Sequence, residues 1–209
     1  DEVIAEFVTA AGRAQDAGFD MIELHCAHGY LLNSFLSPKT NVRTDEYGGN
    51  AENRRKFPVE VFTALRAAWP EEKPISVRIS AHDWSDGGIL PEDAVGIAKA
   101  FKEAGCDILD VSSGQVVSDE KPVYGRLFQL PFSDRVRLEA DMPTMTVGNI
   151  QSFADANSII AGGRADICVI ARMHLFDPYW TRHAANELRY PLEMPVQYKS
   201  VETYTPRWT

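Results

Sequence analysis

Two histidines and a tyrosine follow a short apolar segment near the start of the sequence. Residues 19–24 are typical of a buried strand, and His25, His28 and Tyr30 come directly after it. Imidazole N–H groups can donate hydrogen bonds to a carbonyl oxygen, and a phenol can deliver a proton. Core packing is the ordinary role of a lone histidine, and a zinc site is a rival, although no third ligand lies nearby in the sequence. Three such residues at one strand end favour a chemical role.

A cation lies inside another apolar segment. Arg78 interrupts residues 75–79, which are otherwise typical of a buried strand. A guanidinium in such a strand is costly unless it is paired. The pattern leaves two interpretations open, namely a salt bridge with Glu23 on the neighbouring strand, or a fixed cation that faces an anionic ligand.

Two further strand ends carry groups that suit phosphate. Gly148 and Asn149 follow the fourth predicted strand and precede a helix, and the fifth strand ends at Ala171 and Arg172. Backbone N–H groups at the start of a helix bind phosphate well, and a nearby arginine adds charge. Each feature alone is weak, because a glycine after a strand is commonly just a turn. Together they predict a phosphate cradle after the last two strands, where many (β/α)8 barrels have one.

Helices and strands alternate along the whole chain. Apolar spacing and boundary residues predict a first helix that stops at Gly18, and Asn50 is a plausible cap for a later one. The other predicted helices cover residues 51–68, 91–104, 151–161 and 178–188, and the strands cover 19–24, 75–80, 108–111, 144–147 and 167–170. Unpatterned apolar strands that alternate with helices indicate a parallel sheet buried on both faces.

A junction of helix stop, short turn and apolar strand occurs three times, at residues 17–22, 104–109 and 163–168. This α/β pattern fits a five-stranded doubly wound sheet or a (β/α)8 TIM barrel. Counting favours the sheet, because a closed barrel of this type needs eight strands. The sequence begins inside a helical pattern without an initiator Met. We therefore expect a piece of a longer chain, so a barrel that lacks its first three strands is the alternative.

Composition narrows the class of protein. The chain has 209 residues and a formal net charge of −9, which disfavours nucleic-acid binding. Its apolar runs are too short to cross a membrane. Cys26, Cys106 and Cys168 are too far apart in the sequence to indicate a disulfide framework or a metal cluster, so we expect a cytoplasmic protein without a bound metal.

Long stretches of the sequence resemble the Old Yellow Enzyme family of FMN-dependent oxidoreductases. The resemblance covers nearly the whole chain, but only the C-terminal five-eighths of the family's barrel. Within the family, the chain is most similar to the reductase-like module of salicylyl-CoA 5-hydroxylase and aminobenzoyl-CoA monooxygenase-reductase. The matching segments are residues 17–20, 25–32, 35–38, 41, 43–45, 47–49, 52–55 and 57, and then 77–80, 148–150, 165–166, 172 and 177–178.

The resemblance implies an architecture and a set of catalytic residues. Residues 1–190 would form the C-terminal part of an FMN-binding barrel, with about its last five strands, and residues 191–209 an irregular tail. His25 and His28 would hold the carbonyl oxygen of the substrate above the flavin, and Tyr30 would be the proton donor.

The resemblance also implies the cofactor site. Arg78 would be the cation near the flavin pyrimidine, and Gly148, Asn149, Ala171 and Arg172 would surround the FMN phosphate. The family usually has glycine where Ala171 stands, and the added methyl group tightens the approach without removing the backbone N–H.

The reaction implied is hydride transfer from NAD(P)H through FMN to an electron-poor C=C bond conjugated to a carbonyl or thioester. The substrate would be a small enone or an acyl-CoA-type molecule, including aryl-CoA derivatives. The longer chain could also form a homo-oligomer. Two other classes stay open. They are a flavin-free barrel enzyme for a phosphorylated metabolite, and a non-catalytic module of a larger fused enzyme.

Overall fold

The computed structural model of the chain describes residues 2–202 and 204. The helices are α1 (Glu2–Asp16), α2 (Leu31–Leu36), α3 (Ala51–Ala68), α4 (Pro91–Glu103), α5 (Leu130–Glu139), α6 (Phe153–Ala161), α7 (Arg172–Phe176) and α8 (Trp180–Glu187). The strands are β1 (Ile22–Cys26), β2 (Ile75–Ser80), β3 (Ile108–Ser112), β4 (Thr144–Val147) and β5 (Ile167–Val169), and a 3₁₀ helix covers Val196–Val201.

The five strands form one parallel sheet in sequence order, β1-β2-β3-β4-β5. A doubly wound sheet changes direction at a point where the strand order reverses, and this sheet has no such point among the described strands. The doubly wound alternative favoured by strand counting is therefore wrong. An order that follows the sequence, with helical crossovers between the strands, is that of a (β/α)8 barrel.

The two faces of the sheet differ in chemistry. Leu24, Val77 and Leu109 occupy matched positions and join the main hydrophobic core beneath the helices. Because successive side chains of a strand point to opposite faces, the residues next to them lie on the inner face of the sheet. Arg78 and Asp110 belong to that inner face, which is therefore partly polar.

Aromatic packing ties two helices to the outer face. Phe62 of α3 and Phe101 of α4 are fully buried, and their rings meet edge to face with centroids 5.6 Å apart. Rings in this geometry add to the free energy gained by burial alone. The chemistry at the strand ends therefore rests on a rigid apolar layer.

The three repeated junctions each use a glycine in a left-handed conformation. Gly18, Gly105 and Gly163 have φ angles of 81°, 95° and 64°. Glycine adopts such angles without the steric cost that a Cβ brings. The helix ends predicted from these three residues are therefore confirmed.

An Asp–Arg clamp follows two of these junctions. Asp107 accepts a hydrogen bond from the first backbone N–H of β2 at 2.8 Å and lies 3.4 Å from Arg66 of α3. Asp166 repeats the pattern, with the first N–H of β4 at 2.9 Å and Arg137 of α5 at 3.0 Å. In both cases the carboxylate that comes just before one strand binds the start of the preceding strand, and it also binds the helix that comes before that preceding strand.

Several boundaries differ from those expected. β1 starts three residues later than predicted, so His25 lies inside the strand. The short helices α2, α5 and α7 were not predicted, and the last predicted helix corresponds to α8. The tail after Pro191, expected to be irregular, contains a 3₁₀ helix. Among the described residues, no helix has both the length and the apolar character that a membrane span requires.

Candidate active site

A polar row crosses the inner face of the sheet. His25, Arg78 and Asp110 are aligned by the register of β1, β2 and β3. Arg78 Nη1 lies 3.4 Å from Asp110 Oδ2. Of the two interpretations left open for Arg78, the salt bridge with Glu23 is therefore wrong. Glu23 is aligned one row lower, where it accepts a hydrogen bond from the Ser76 hydroxyl at 2.7 Å.

Burial determines the charge state of this row. It raises the pKa of the Asp110 carboxyl to about 7, Arg78 opposes this rise, and Glu23 adds to it. Arg78 Nε and Asp110 Oδ1 are both buried and have no hydrogen-bond partner among the described residues. Such unpaired buried atoms are rare in folded proteins, so this row is an unusual feature of the sheet.

A left-handed turn after β1 brings the predicted catalytic side chains together. His28 has a φ of 60°, and its backbone N–H donates to the Ser80 hydroxyl at 2.9 Å. The His25 ring lies 5.3 Å from the His28 ring and 5.4 Å from the Tyr30 ring, measured between centroids. The three residues are therefore neighbours, as the sequence predicts.

Both imidazoles are held in the neutral form at neutral pH. Burial, followed by the nearby Arg78 and His25, lowers the pKa of His28 to about 4. Burial, and then Arg78, also lower the pKa of His25. A neutral imidazole has one N–H donor and one acceptor nitrogen, so each ring can offer a single hydrogen bond to a carbonyl oxygen.

Sequence reasoning missed a buried hydrogen-bond network around Gln129. His28 Nε2 lies 2.8 Å from the Ser112 hydroxyl, while the Ser113 hydroxyl donates to Gln129 Oε1 at 2.6 Å. Gln129 Nε2 in turn donates to the Val147 carbonyl at 3.0 Å. We call these residues the Gln129 network. The sequence signal for Gln129 is a single polar residue within an apolar segment, which is the same signal that identifies Arg78.

The predicted phosphate loop starts where this network ends. Gly148 has a φ of 114°, and a Cβ built on it would lie 2.5 Å from Gln129 Nε2. Asn149 has a φ of 54° and donates from Nδ2 to the Gly125 carbonyl at 2.8 Å. The loop therefore requires glycine at position 148, and its conformation is fixed from both sides.

The helix after this loop, α6, begins at Phe153, two residues later than predicted. In its capping box the Ser152 N–H donates to Asp155 and the Asp155 N–H donates to Ser152, so these two N–H groups are already paired. The short helix α7, which starts directly after Ala171, was not predicted and presents Arg172 beside the loop. A short extra helix of this kind often forms part of a barrel's phosphate site.

Most of the predicted site residues line two adjoining cavities. The larger, of about 580 Å³, is bordered by His28, Arg78, Gly148, Asn149 and Arg172, and the smaller, of about 210 Å³, by Gly148, Asn149, Ala171 and Arg172. His25 and Tyr30 adjoin the larger cavity through His28, without lining it. Small-molecule sites typically measure about 300–1,000 Å³. Across residues 2–202 and 204, no cluster of three potential metal ligands occurs.

Comparison with known proteins gives a family match over most of the chain. The sequence profile of the "NADH:flavin oxidoreductase / NADH oxidase family" matches residues 1–190. The NADPH dehydrogenase of Bacillus subtilis (strain 168) is 44% identical over 95% of the chain, and that of Geobacillus sp. (strain WCH70) is 47% identical over 95%. The chain spans 58% of the length of each of these two relatives.

Solved structures agree on the fold. A 2-naphthoyl-CoA reductase in complex with 2-naphthoyl-CoA superimposes with a TM-score of 0.83 at 27% identity, over 89% of this chain and 29% of that one. Morphinone reductase superimposes with a TM-score of 0.73 at 26% identity, over 96% of this chain and 52% of that one. The five strands are accordingly part of a TIM barrel.

Proposed function

Because the chain belongs to the NADH:flavin oxidoreductase / NADH oxidase family, we propose that it is part of an FMN-dependent oxidoreductase that takes hydride from NAD(P)H. The observation that carries this proposal is the convergence of His28, Arg78 and the Gly148 loop on one cavity. The chain spans 58% of the length of its curated relatives, so the activity belongs to a longer protein.

The residues present fit FMN. Gly148 and Arg172 border both cavities, and the absence of a side chain at Gly148 lets Gln129 pack against the loop. These features suit the phosphate, with the loop at Asn149 and the backbone at Ala171 around it. Arg78 borders the larger cavity with Nε buried and without a partner among the described residues. It would face the flavin pyrimidine, which gains negative charge on reduction.

Bound FMN supplies the redox chemistry, and the protein supplies orientation and charge. In the arrangement that we propose, Ser113 satisfies Gln129 Oε1 at 2.6 Å, and the Ser112 hydroxyl, 3.4 Å from that oxygen, donates instead to Nε2 of the neutral His28 at 2.8 Å. The proton of that ring then lies on Nδ1, where it can be donated to a substrate carbonyl. His25 provides a second donor, and Tyr30 protonates the adjacent carbon. Fixed donors of this kind stabilise the charge that develops on the oxygen.

We propose as substrate an electron-poor C=C bond conjugated to a carbonyl or a thioester, including aryl-CoA derivatives. Aromatic side chains of Trp84, Tyr124 and Phe128 line the larger cavity. They suit flat, conjugated molecules, since rings stack on one another favourably. The similarity to 2-naphthoyl-CoA reductase and to morphinone reductase supports both substrate classes.

We also infer that residues 1–190 are the last five units of the barrel, and that residues 191–209 lie outside it. The position of the phosphate loop after β4 and β5 supports this order, because barrels commonly hold phosphate after their last two strands. The upstream coding sequence should encode three further βα units. The free thiols of Cys26 and Cys106 are buried, which supports a cytoplasmic location.

The two half-reactions of the full-length protein test the proposed roles. In stopped-flow experiments, His28→Ala should slow reoxidation by an enone or enoyl thioester about tenfold to a thousandfold, because a donor to the charged oxygen is lost. Flavin reduction by NAD(P)H should change less. Tyr30→Phe should slow protonation and leave substrate binding nearly intact.

His183→Ala is a suitable control, because His183 is exposed on α8 and contacts Asp177. This variant should behave as the wild type does. If His28→Ala and Tyr30→Phe reoxidise at the wild-type rate, the assigned roles are wrong. A full-length protein that retains no flavin would refute the function itself.

A further inference from the structure

Asp110 is a buried carboxylic acid that none of the roles above uses. It lies in the polar row beside Arg78 but does not border the cavity. Only 2% of its surface is exposed, and within the described part of the chain its one charged contact is Arg78 at 3.4 Å. Its second oxygen has no hydrogen-bond partner among the described residues. A structural ion pair normally satisfies both oxygens, so this geometry leaves the carboxyl group in a poor position to hold a permanent charge.

We propose that Asp110 sets the net charge of the Arg78–Asp110 pair and takes up one proton when the bound flavin is reduced, which couples the flavin potential to pH. This inference rests on the proposed function, because it requires FMN beside Arg78. Asp110 acts through Arg78 and is therefore a positioning residue. Nothing in its placement requires contact with the flavin or the substrate.

The charge balance of the step is simple. Hydride transfer from NAD(P)H delivers two electrons and one proton to the flavin, releases NAD(P)⁺, and makes the net charge of the flavin one unit more negative. The Arg78 cation attracts this added charge, whereas an ionised Asp110 opposes it. One proton from solvent converts the carboxylate to the neutral acid and removes the opposition. When hydride leaves for the substrate, Asp110 returns that proton to solvent.

The groups around Asp110 support this assignment. Across β2 it faces the Arg78 guanidinium, and β1 contributes His25 in the same row and Glu23 one row lower. On the other side, β4 contributes the uncharged Met145. The helices pack on the opposite face of β3, where its neighbours Leu109 and Val111 join the apolar core.

The protonation states fit the same scheme. Burial raises the pKa of Asp110 to about 7 before any negative charge is added nearby. A more negative flavin can only raise that pKa further. Asp110 is therefore neutral in both redox states at acidic pH, and its proton uptake is confined to pH values above about 7. The neutral imidazoles of His25 and His28 do not exchange protons in that range, because their pKa values are lowered.

Redox titration of the full-length FMN-loaded protein between pH 5 and 9 tests this. One extra proton per two electrons changes the equilibrium constant tenfold per pH unit, which is about 30 mV. The wild type should show this additional slope above pH 7. Asp110→Asn should remove it, with a potential that matches the wild type at acidic pH and lies above it at alkaline pH. Glu23→Gln is the matched control and should keep the slope.

An infrared measurement on the wild type makes the test independent of any variant. The difference spectrum between oxidised and reduced protein at pH 8, with ¹³C-labelled aspartate, should gain a protonated-carboxyl band on reduction. Absence of this band, or an unchanged slope in a flavin-containing Asp110→Asn variant, overturns the role of Asp110. Failure of the wild type to retain FMN would instead refute the proposed function.

Discussion

Replacing Gly148 with alanine should weaken both the fold and the FMN site. The φ of 114° at this position lies in a region that side chains rarely adopt, and enforcing it costs about 1–3 kcal/mol. The new Cβ would also lie 2.5 Å from Gln129 Nε2, so the Gln129 side chain must shift. That shift breaks its hydrogen bond to Val147 O, which costs about 0.5–1.5 kcal/mol. The two effects together predict a loss of about 1.5–4.5 kcal/mol in the free energy of unfolding.

Two other glycines separate these effects. Gly163 has a φ of 64° and open space around its Cβ position, so Gly163→Ala should cost only the left-handed conformation, about 1–2 kcal/mol. Gly12 lies within α1 with nothing close to its Cβ position, so Gly12→Ala should stabilise by about 0.5–1 kcal/mol. The three substitutions add the same methyl group in three different backbone settings.

The assay is urea unfolding of the full-length protein, with and without FMN. We expect the urea midpoint to be highest for Gly12→Ala, lower for Gly163→Ala and lowest for Gly148→Ala. Only Gly148→Ala should lose FMN affinity. If Gly148→Ala is as stable as Gly163→Ala, the close approach to Gln129 has no energetic weight. Equal FMN affinity in all three variants would show that the loop does not bind the phosphate.

Three further predictions concern other parts of the molecule. Arg172→Ala should weaken FMN binding by about 1.5–3 kcal/mol, measured by fluorescence titration, and unchanged affinity would exclude a phosphate contact. Phe101→Ala should destabilise the fold by about 3–5 kcal/mol in thermal or urea unfolding, because the ring is fully buried against Phe62, and a loss below 1 kcal/mol would contradict that packing. The lowered pKa of His28 favours the neutral ring in the fold, so its contribution is present above about pH 6.5 and is lost as the pH falls towards 4. Unfolding of the wild type and His28→Gln across that range should show the wild type losing stability relative to the variant, and a constant difference would contradict the shift.

Elements with strong local signals were predicted well from the sequence. The helix at Ala51–Ala68 and the strands at Ile75–Ser80 and Thr144–Val147 have the expected bounds, and Asn50 caps the first of them by accepting from the Asn53 N–H. Apolar periodicity and boundary residues act within a few positions of each other, so they can be read directly. The short helix α2 has too few turns to show a clear period, and α5 begins inside an apolar segment that resembles a strand.

Contacts between strands were harder to predict. The partner of Arg78 depends on the register of β2 with both of its neighbours, and nothing in the local sequence specifies that register. Glu23 is an acidic residue on the neighbouring strand, but it lies one row below Arg78. Asp110, in the same row as Arg78, is the actual partner. Gln129 was missed for a similar reason, because its role depends on Ser113 and Gly148, which come from different βα units.

The two Asp–Arg clamps and the site residues lie at opposite ends of the strands. Asp107 with Arg66, and Asp166 with Arg137, act at the start of the strands, whereas the site residues follow the ends of the strands. Stability and chemistry are thus encoded in different segments of the same βα unit. Segments after the strands can diversify in sequence, or be exchanged between homologues, without disturbing alignment, provided that each aspartate is inherited together with its arginine. We therefore expect that exchanging the segments after the strands would change the site and leave the strand alignment in place.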